Sequence, residues 1–375
     1  MTGASAMTQP HLARHSASPW RLVWWRFRRH RLAMAGAVVL AVAYLVALFA
    51  EFVAPYSTEH QQVDHGGAPP QTVKVVDTSS GGWDWGLYVN GYTDHVDEET
   101  LEITYEVDHE QRIPLRFFAE GEPYKLFGLF ETDRHLIGPA DPDGPPVFFL
   151  GATVNGYDLF SRIVHGSRVS LTIGLVGVAA SFLIGVVLGG ISGYFGGWVD
   201  TAIQRLIEFF MSIPTLPLWL GLAAAVPTDW GPMQRYFTIT VILSVIAWTD
   251  LARVVRGRFM ALREEDFVTA TALDGVGRPR LIFAHMLPSF TSHLIASATL
   301  AIPAMILAET ALSFLGLGLR APAVSWGTLL EEAQNFATLE AAPWLLLPGA
   351  AVVVIVLSFN FVGDGLRDAA DPYKS

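Results

Sequence analysis

The chain has no cysteine in 375 residues, which excludes disulfides, thiolate metal sites and cysteine nucleophiles together. Lysine is nearly absent as well: only Lys74, Lys125 and Lys374 occur, so arginine carries almost all of the positive charge. Charged residues make up 16% of the chain against 51% hydrophobic ones, and the apolar residues come in long blocks, which excludes an ordinary water-soluble domain. Catalytic signatures are missing too. There is no "GxxxxGK[ST]" phosphate loop, no "HExxH" pair and no "GxSxG" elbow, so the chain cannot hydrolyse ATP by itself. No nucleic-acid partner is expected of a chain with a net charge of −11.

What the chain does have is membrane-spanning length. A hydrocarbon core of about 30 Å needs roughly 20 apolar residues per helix, and six runs meet or approach that length. They cover residues 32–50, 169–199, 209–225, 236–255, 294–319 and 341–363. The second contains "GGISGYFGG", expected to be flexible; the third carries Pro214 and Pro217 and is expected to kink, which neighbouring helices can accommodate. Asp250 and Arg253 intrude near the end of the fourth, the fifth surrounds Glu309, and the sixth has no charge.

Arginines beside short loops set the orientation. Arg21, Arg26, Arg28, Arg29 and Arg31 crowd the start of the first run, which places the N-terminus in the cytoplasm. Six crossings then bring Arg253, Arg256, Arg258, Arg263, Arg278 and Arg280 to the same side. The first run lacks a clear small-residue cleavage site and is expected to be retained.

The same topology puts residues 56–150 outside the membrane. From 56 to 160 there are 19 acidic and 5 basic residues, and alternating stretches such as "TLEITYEV" and "QRIPLRFFA", bounded by "SSGGWDWG" and "PADPDGPP", read as short strands and turns. A small β-rich extracytoplasmic insertion is expected. Its acidity either keeps it soluble or offers a surface for cations or basic ligands. Trp83, Trp85, Tyr88, Phe117, Phe118 and Phe127 are expected to form its core.

Between the fourth and fifth runs lies "DFVTATALDGVGRPRLIFAHMLPS" (266–289). Glu264, Glu265 and Asp266 suit a helix N-terminus and Gly275 is a natural stop; a second helical piece covers 279–288. The result is a helix, turn and helix at the cytoplasmic face. Phe267, Ala270, Thr271 and Asp274 share one small, mildly apolar face, which suits docking into another protein's groove as well as an ordinary interhelical loop.

This segment resembles the "EAA" loop of ABC importer permeases, with Ala270, Gly275 and Leu287–Pro288 at the family's positions and Thr269 and Thr271 where that family commonly has Glu and Ala. "LAETALSFLGLGLRAPAVSWGTLL" (307–330), "PWLLLPGAAVVVIVLSFNFVGDGLRDAADP" (343–372), "SPWRLVWWRFRRHRLAMAG" (18–36) and "RLIEFFMSIP" (205–214) are similar to blocks of the C-type permease subunit of dipeptide, oligopeptide and nickel transporters. "LGATVNGYDLFSRIVHGSRVSL" (150–171) keeps that subfamily's Gly151, Gly156, Asp158, Ser161, Arg162, Gly166 and Arg168 but departs at Ala152, Thr153, Tyr157 and His165.

The resemblance covers nearly everything except the insertion and implies an all-α integral membrane protein of six transmembrane helices, with the β-rich insertion read above lying between the first two. Its expected parts are a cytoplasmic segment 1–31, a first helix 32–55, the insertion 56–165, a permease core 166–366 with coupling loop 259–289, and a cytoplasmic tail 367–375. It implies a bacterial or archaeal cytoplasmic membrane with both termini inside. It also implies an ATP-driven importer of peptides, with nickel, oligosaccharide or another solute as alternatives, in which this chain pairs with a B-type permease, two ATPase subunits and an extracytoplasmic binding protein, in contact with membrane lipid. ATP and Mg belong to the ATPase, and no cofactor is expected on this chain. The coupling residues it implies are Glu265, Asp266, Phe267, Ala270, Leu273, Asp274, Gly275, Gly277, Leu287 and Pro288.

Charges inside the spans are the remaining candidates, because an ionisable group in hydrocarbon costs several kcal/mol and faces an interior. Glu309 reads as a pathway residue or as a hydrogen-bond partner inside the bundle. Glu208 and Asp250 are expected to pair with Arg205 and Arg253. His285 and His293 have no further ligand at usable spacing and read as structural, so no metal is expected. A membrane sensor, with the insertion as receptor and the loop as output, is the competing class.

Overall fold

Runs of apolar residues that must satisfy their own backbone in lipid form helices. The computed structural model describes residues 19–77, 84–96, 103–227 and 229–370. An amphipathic α1 (Pro19–Phe27), not foreseen from the arginine-rich segment, precedes α2 (Arg31–Leu48). His30 Nδ1 accepts the Ala33 N–H at 3.1 Å and caps α2. The bundle continues with α3 (Leu159–Phe195), the broken pair α4 (Gly197–Ser212) and α5 (Thr215–Ala224), and α6 (Pro232–Arg263). After α7 (Asp266–Leu273) come α8 (Thr291–Phe314), a short α9 (Trp326–Glu331) and α10 (Leu347–Ala370).

Five of these helices are long and apolar enough to cross a membrane, and the α4–α5 pair makes a sixth if counted as one span. That pair carries the kink expected of the third run at Pro214 and corrects only where the run starts, twelve residues before Phe209. The helix begins at Gly197, breaks at Ile213 and Pro214, and bends by 82°; Pro214 lacks the N–H that would continue it. α3 also starts ten residues before its apolar run, because Asp158 caps it by accepting the Ser161 N–H at 2.8 Å. At 37 residues it is about 55 Å long and projects beyond the hydrocarbon.

The expected flexibility of "GGISGYFGG" is corrected as well. Most of it is ordered helix, ending only at Gly196 (φ +65), and its glycines let α3 approach α6. A Cβ on Gly189 would fall 2.4 Å from the Ala252 carbonyl oxygen, and one on Gly193 2.5 Å from that of Arg256. Small residues at such seams permit close backbone packing where lipid gives no hydrophobic drive. The contacts run Gly177 to Ser244, Gly185 to Trp248, Gly189 to Ala252 and Gly193 to Arg256, so α3 and α6 are parallel. α10 instead runs antiparallel to α2, with Gly365 against Ala33 and Ser358 against Gly36.

The bundle core gathers Leu171, Leu243, Ile306, Leu312 and Phe359. The insertion is a four-stranded antiparallel meander, β1 (Lys74–Asp77), β2 (Asp84–Val96), β3 (Ile103–Leu126) and β4 (Phe130–Pro139). The two short strands expected around residue 110 are one 24-residue strand, β3, whose first half pairs with β2 and whose second pairs with β4. Pro114 sits at the changeover. Thr100, where "TLEITYEV" begins, lies outside the described residues.

The sheet's core is thin: Val89, Ile113, Leu115 and Val147. Phe117, Phe118 and Phe127 are exposed rather than buried, because the second half of β3 runs past that core. Trp83 lies outside the described residues.

Candidate coupling element and cavity

The loop between α6 and α8 is built as helix, glycine turn, helix. α7 ends where Gly275 adopts φ +78, a left-handed conformation that favours glycine. The second piece runs over 278–289 with a π-helical turn at Leu281–Met286. Pro288 therefore sits in that helical stretch instead of ending it.

One residue roots α7. Val268 is buried with Val255, Phe259, Leu281, Met286, Phe290 and Leu294 in a cluster separate from the main bundle core; burying such a side chain is worth about 1.5 kcal/mol or more. The opposite side is open. Glu265, Asp266, Phe267, Ala270, Leu273, Asp274, Gly275, Gly277 and Pro288 are all exposed, while Leu287 is half-buried. Phe267 and Leu273 present apolar surface there, a protruding ridge on a fixed root.

Behind that root, Arg256 forms two bonds to Asp200, Nε to Oδ1 at 2.5 Å and Nη2 to Oδ2 at 2.7 Å. Ser192 donates to the same carboxylate at 2.5 Å, and Gln204 donates to Ser192 at 3.2 Å. This bidentate clamp ties the α3–α4 corner to the lower part of α6. Sequence reasoning missed it, because the partners are 56 residues apart. The foreseen neighbours are simpler: Arg205 pairs with Glu208 at 2.7 Å and Arg253 with Asp250 at 3.1 Å.

A cavity of about 470 Å³ opens between α3, the α4–α5 bend, α6 and α8, lined by Ser181, Phe210, Trp219, Ala247, Ser297 and Met305 among others. The buried Trp219 Nε1 finds no hydrogen-bond acceptor among the described residues. Glu309 is fully buried and does not line this cavity. Its Oε1 accepts from the Ser313 and Ser325 hydroxyls, both at 2.7 Å, and Ser313 Oγ in turn accepts the Leu319 N–H. Glu309 thus organises the turn from α8 to α9.

At the other end of α3, polar joints tie it to the end of α2, to the segment after α9 and to the base of the insertion. Arg168 bonds Glu51 through both terminal nitrogens at 2.5 and 2.7 Å, and Arg162 reaches Glu332 at 2.8 Å while lying over Tyr157. Tyr56 N–H donates to Ser161 Oγ, and Ser161 Oγ–H to Asp158 at 2.6 Å. Burial pushes the Asp158 carboxyl up to about 6 despite these bonds. Glu122 accepts from Ser57 N–H and contacts His60 Nδ1 at 2.5 Å. Burial raises its carboxyl, but these hydrogen bonds outweigh it and leave the group below its ordinary range.

Residues 185–374, which hold α4 to α10 and the loop between α6 and α8, match the family of binding-protein-dependent transport system inner membrane components. The chain belongs to that family. Residues 18–70 match the N-terminal transmembrane domain of oligopeptide transport permease C, so this permease is the C-type subunit of an ABC importer, a multi-pass transport subunit. It is 38% identical over 247 residues to the oligopeptide transport system permease protein OppC of Haemophilus influenzae, covering 66% of this permease and 76% of that one. It is 37% identical to OppC of Escherichia coli K12, covering 66% and 79%. The dipeptide transport system permease protein DppC of Alkalihalophilus pseudofirmus is 38% identical, with 60% and 71% covered. Among solved structures, the inward-facing MetNI methionine ABC transporter aligns with a TM-score of 0.42 at 20% identity, over 56% of this permease and 97% of that chain.

Proposed function

We propose that this permease forms half of a peptide pathway and transmits an ATPase's closure to it through α7. The peptide class is supported by relatives named for dipeptide and oligopeptide transport. A second, B-type permease would complete the pathway around the cavity. Two ATPase subunits, holding the ATP and Mg, would grip α7 and its counterpart, and a binding protein would deliver substrate beside the insertion.

The observation that carries this reading is the exposed ridge of Phe267, Ala270, Leu273 and Asp274 on a helix rooted by Val268. A ridge fixed at its base passes displacement into α6 and α8, whose ends share that root. Parallel α3 and α6 support six crossings, since α4–α5 must carry the chain back between them. The packing of α1 against the end of α10, with Phe27 beside Gly365, supports termini on one side, and the arginines favour the cytoplasm.

The test is a pull-down of the detergent-solubilised chain, as wild type and with residues 265–277 scrambled. A P-loop ATPase should be recovered with wild type alone. Equal recovery with both, or none with folded wild type, would overturn the coupling role.

A further inference from the structure

Five large apolar side chains of the insertion stand in the open. Phe117, Phe118, Phe127, Leu129 and Phe130 are each between 50% and 77% exposed, and all lie on the β3–β4 hairpin or its turn. Isolated surface apolar residues are ordinary, but Phe127, Leu129 and Phe130 crowd a single turn, and apolar surface gathered in one place marks a surface that something covers.

The hairpin's position says what. At its base, His135 on β4 contacts the Ala54 carbonyl at 2.6 Å. Level with His135 the Phe118 ring lies 5.9 Å from Phe52, and at the turn the Phe127 ring lies 5.5 Å from Phe49. The hairpin thus runs alongside residues 54 to 49, and Phe49 immediately follows Leu48, the last residue of the membrane-spanning α2. Its tip therefore reaches the depth at which α2 leaves the hydrocarbon. Val38, Val42 and Leu45 are exposed on α2 and lead to Phe49 in helical steps of four, three and four residues. The tip continues that apolar stripe.

The local chemistry has an interfacial order. Leu129 N–H closes a turn on the Leu126 carbonyl at 3.1 Å, with Phe127 at φ +53 and Gly128 at φ +71. A turn with both central residues left-handed favours Asn-Gly or Asp-Gly. Phenylalanine in the first of those places is a strained choice, and strain of this kind points to a use outside the fold. No polar side chain occurs from Leu126 to Phe130. Immediately behind, Lys125 and Glu131 pair at 3.0 Å in open solvent. Apolar tip and charged neck together match the boundary between acyl chains and water.

We propose that the β3–β4 hairpin is a membrane anchor: Phe127, Leu129 and Phe130 insert into the lipid leaflet beside α2 and hold the sheet down on the bilayer. The inference rests on α2 crossing the membrane, and the proposed topology assigns the leaflet as the outer one.

The absence of native cysteine makes the test direct. Leu129→Cys, Glu106→Cys and Leu45→Cys variants of the full chain are labelled with an environment-sensitive fluorophore and reconstituted in phosphatidylethanolamine/phosphatidylglycerol vesicles with or without acyl-chain bromines. Glu106 lies on the exposed, solvated part of the sheet and Leu45 inside α2. The Leu129 probe should lose roughly half its emission to shallow bromines and less to deep ones, as a group buried about 5–10 Å does. The Glu106 probe should be unaffected. Quenching at Leu45 but not at Leu129, with Leu129 open to aqueous iodide, would place the tip in water and overturn the anchor. A Leu129 probe shielded from both bromine and iodide would show a protein covering it, which also overturns the anchor. Absence of quenching at Leu45 would instead show that α2 is not in lipid, a failure of the membrane reading on which the anchor rests.

Discussion

The two ends of the parallel α3–α6 pair are held by different physics. At the coupling end, α7 hangs from an apolar cluster around Val268 and Phe259, with one bidentate pair, Asp200–Arg256, behind it. At the insertion end, hydrogen bonds and ion pairs carry the load: Arg168 to Glu51, Arg162 to Glu332, and Tyr56 through Ser161 to Asp158. Apolar packing is non-directional and tolerates small shifts of the parts it joins. Buried polar networks are geometrically specific and rigid. The contrast is one of directionality: α7 is held by packing, and the insertion end by named donors and acceptors.

The seam common to both ends is where the contrast breaks most completely. Gly189→Leu would drive a side chain into the Ala252 backbone and separate α3 from α6, costing about 3 kcal/mol or more. The expected result is loss of folded, protease-resistant protein in membranes. Normal yield and normal resistance would mean that the seam is not packed as described.

Asp158→Asn sharpens the insertion side, since Asn keeps an acceptor for the Ser161 N–H. The folded carboxyl is raised from 3.8 to about 6 by burial. A raised group gives stability that is complete below the unfolded value and disappears as pH rises through the folded one. Wild type should therefore lose roughly 3 kcal/mol between pH 3.8 and above pH 6, and the variant should lose far less. Thermal unfolding from pH 4.5 to 8 reads the difference; parallel curves for the two proteins would sink the assignment.

Two changes probe the coupling side. Arg256→Met leaves the Asp200 carboxylate without its charged partner and should cost about 2 kcal/mol, read as a lower unfolding temperature and a looser ratio of ATP hydrolysis to uptake. Full coupling with Arg256→Met would remove the clamp from the account. At Gly275, a Cβ meets nothing within 4 Å, so Gly275→Val perturbs only the left-handed turn, by roughly 1–2 kcal/mol. Membrane insertion should be unchanged while uptake falls relative to ATP hydrolysis. Unaltered uptake would count against α7 as the transmitter.

Much of this was legible in one dimension. Apolar runs report spans because lipid leaves a backbone no other choice, and the stop at Gly275 follows from a property of glycine alone. The Arg205–Glu208 and Arg253–Asp250 pairs were readable because both partners share a helical turn. What failed depended on distant neighbours. "GGISGYFGG" reads as loose until α6 is laid against it, and Asp200 has no visible purpose without Arg256. Phe117, Phe118 and Phe127 resemble core residues in any count of aromatics; only the position of β3 beyond Val89 and Ile113 shows that they are not.

The smallest expected effect tests whether position or charge makes a pair matter. Arg205 and Glu208 bond at 2.7 Å, a distance equal to the longer Arg256–Asp200 bond, yet both side chains are well over half exposed. Water solvates each charge nearly as well as its partner does, so an exposed pair of this kind contributes about 0.3–0.5 kcal/mol. Arg205→Gln should leave the unfolding temperature and the coupling ratio within error, and moderate salt should mimic it. An effect as large as that of Arg256→Met would show that Arg205 meets a partner in the assembled importer, and the line between rigid root and exposed surface would move outward along α4.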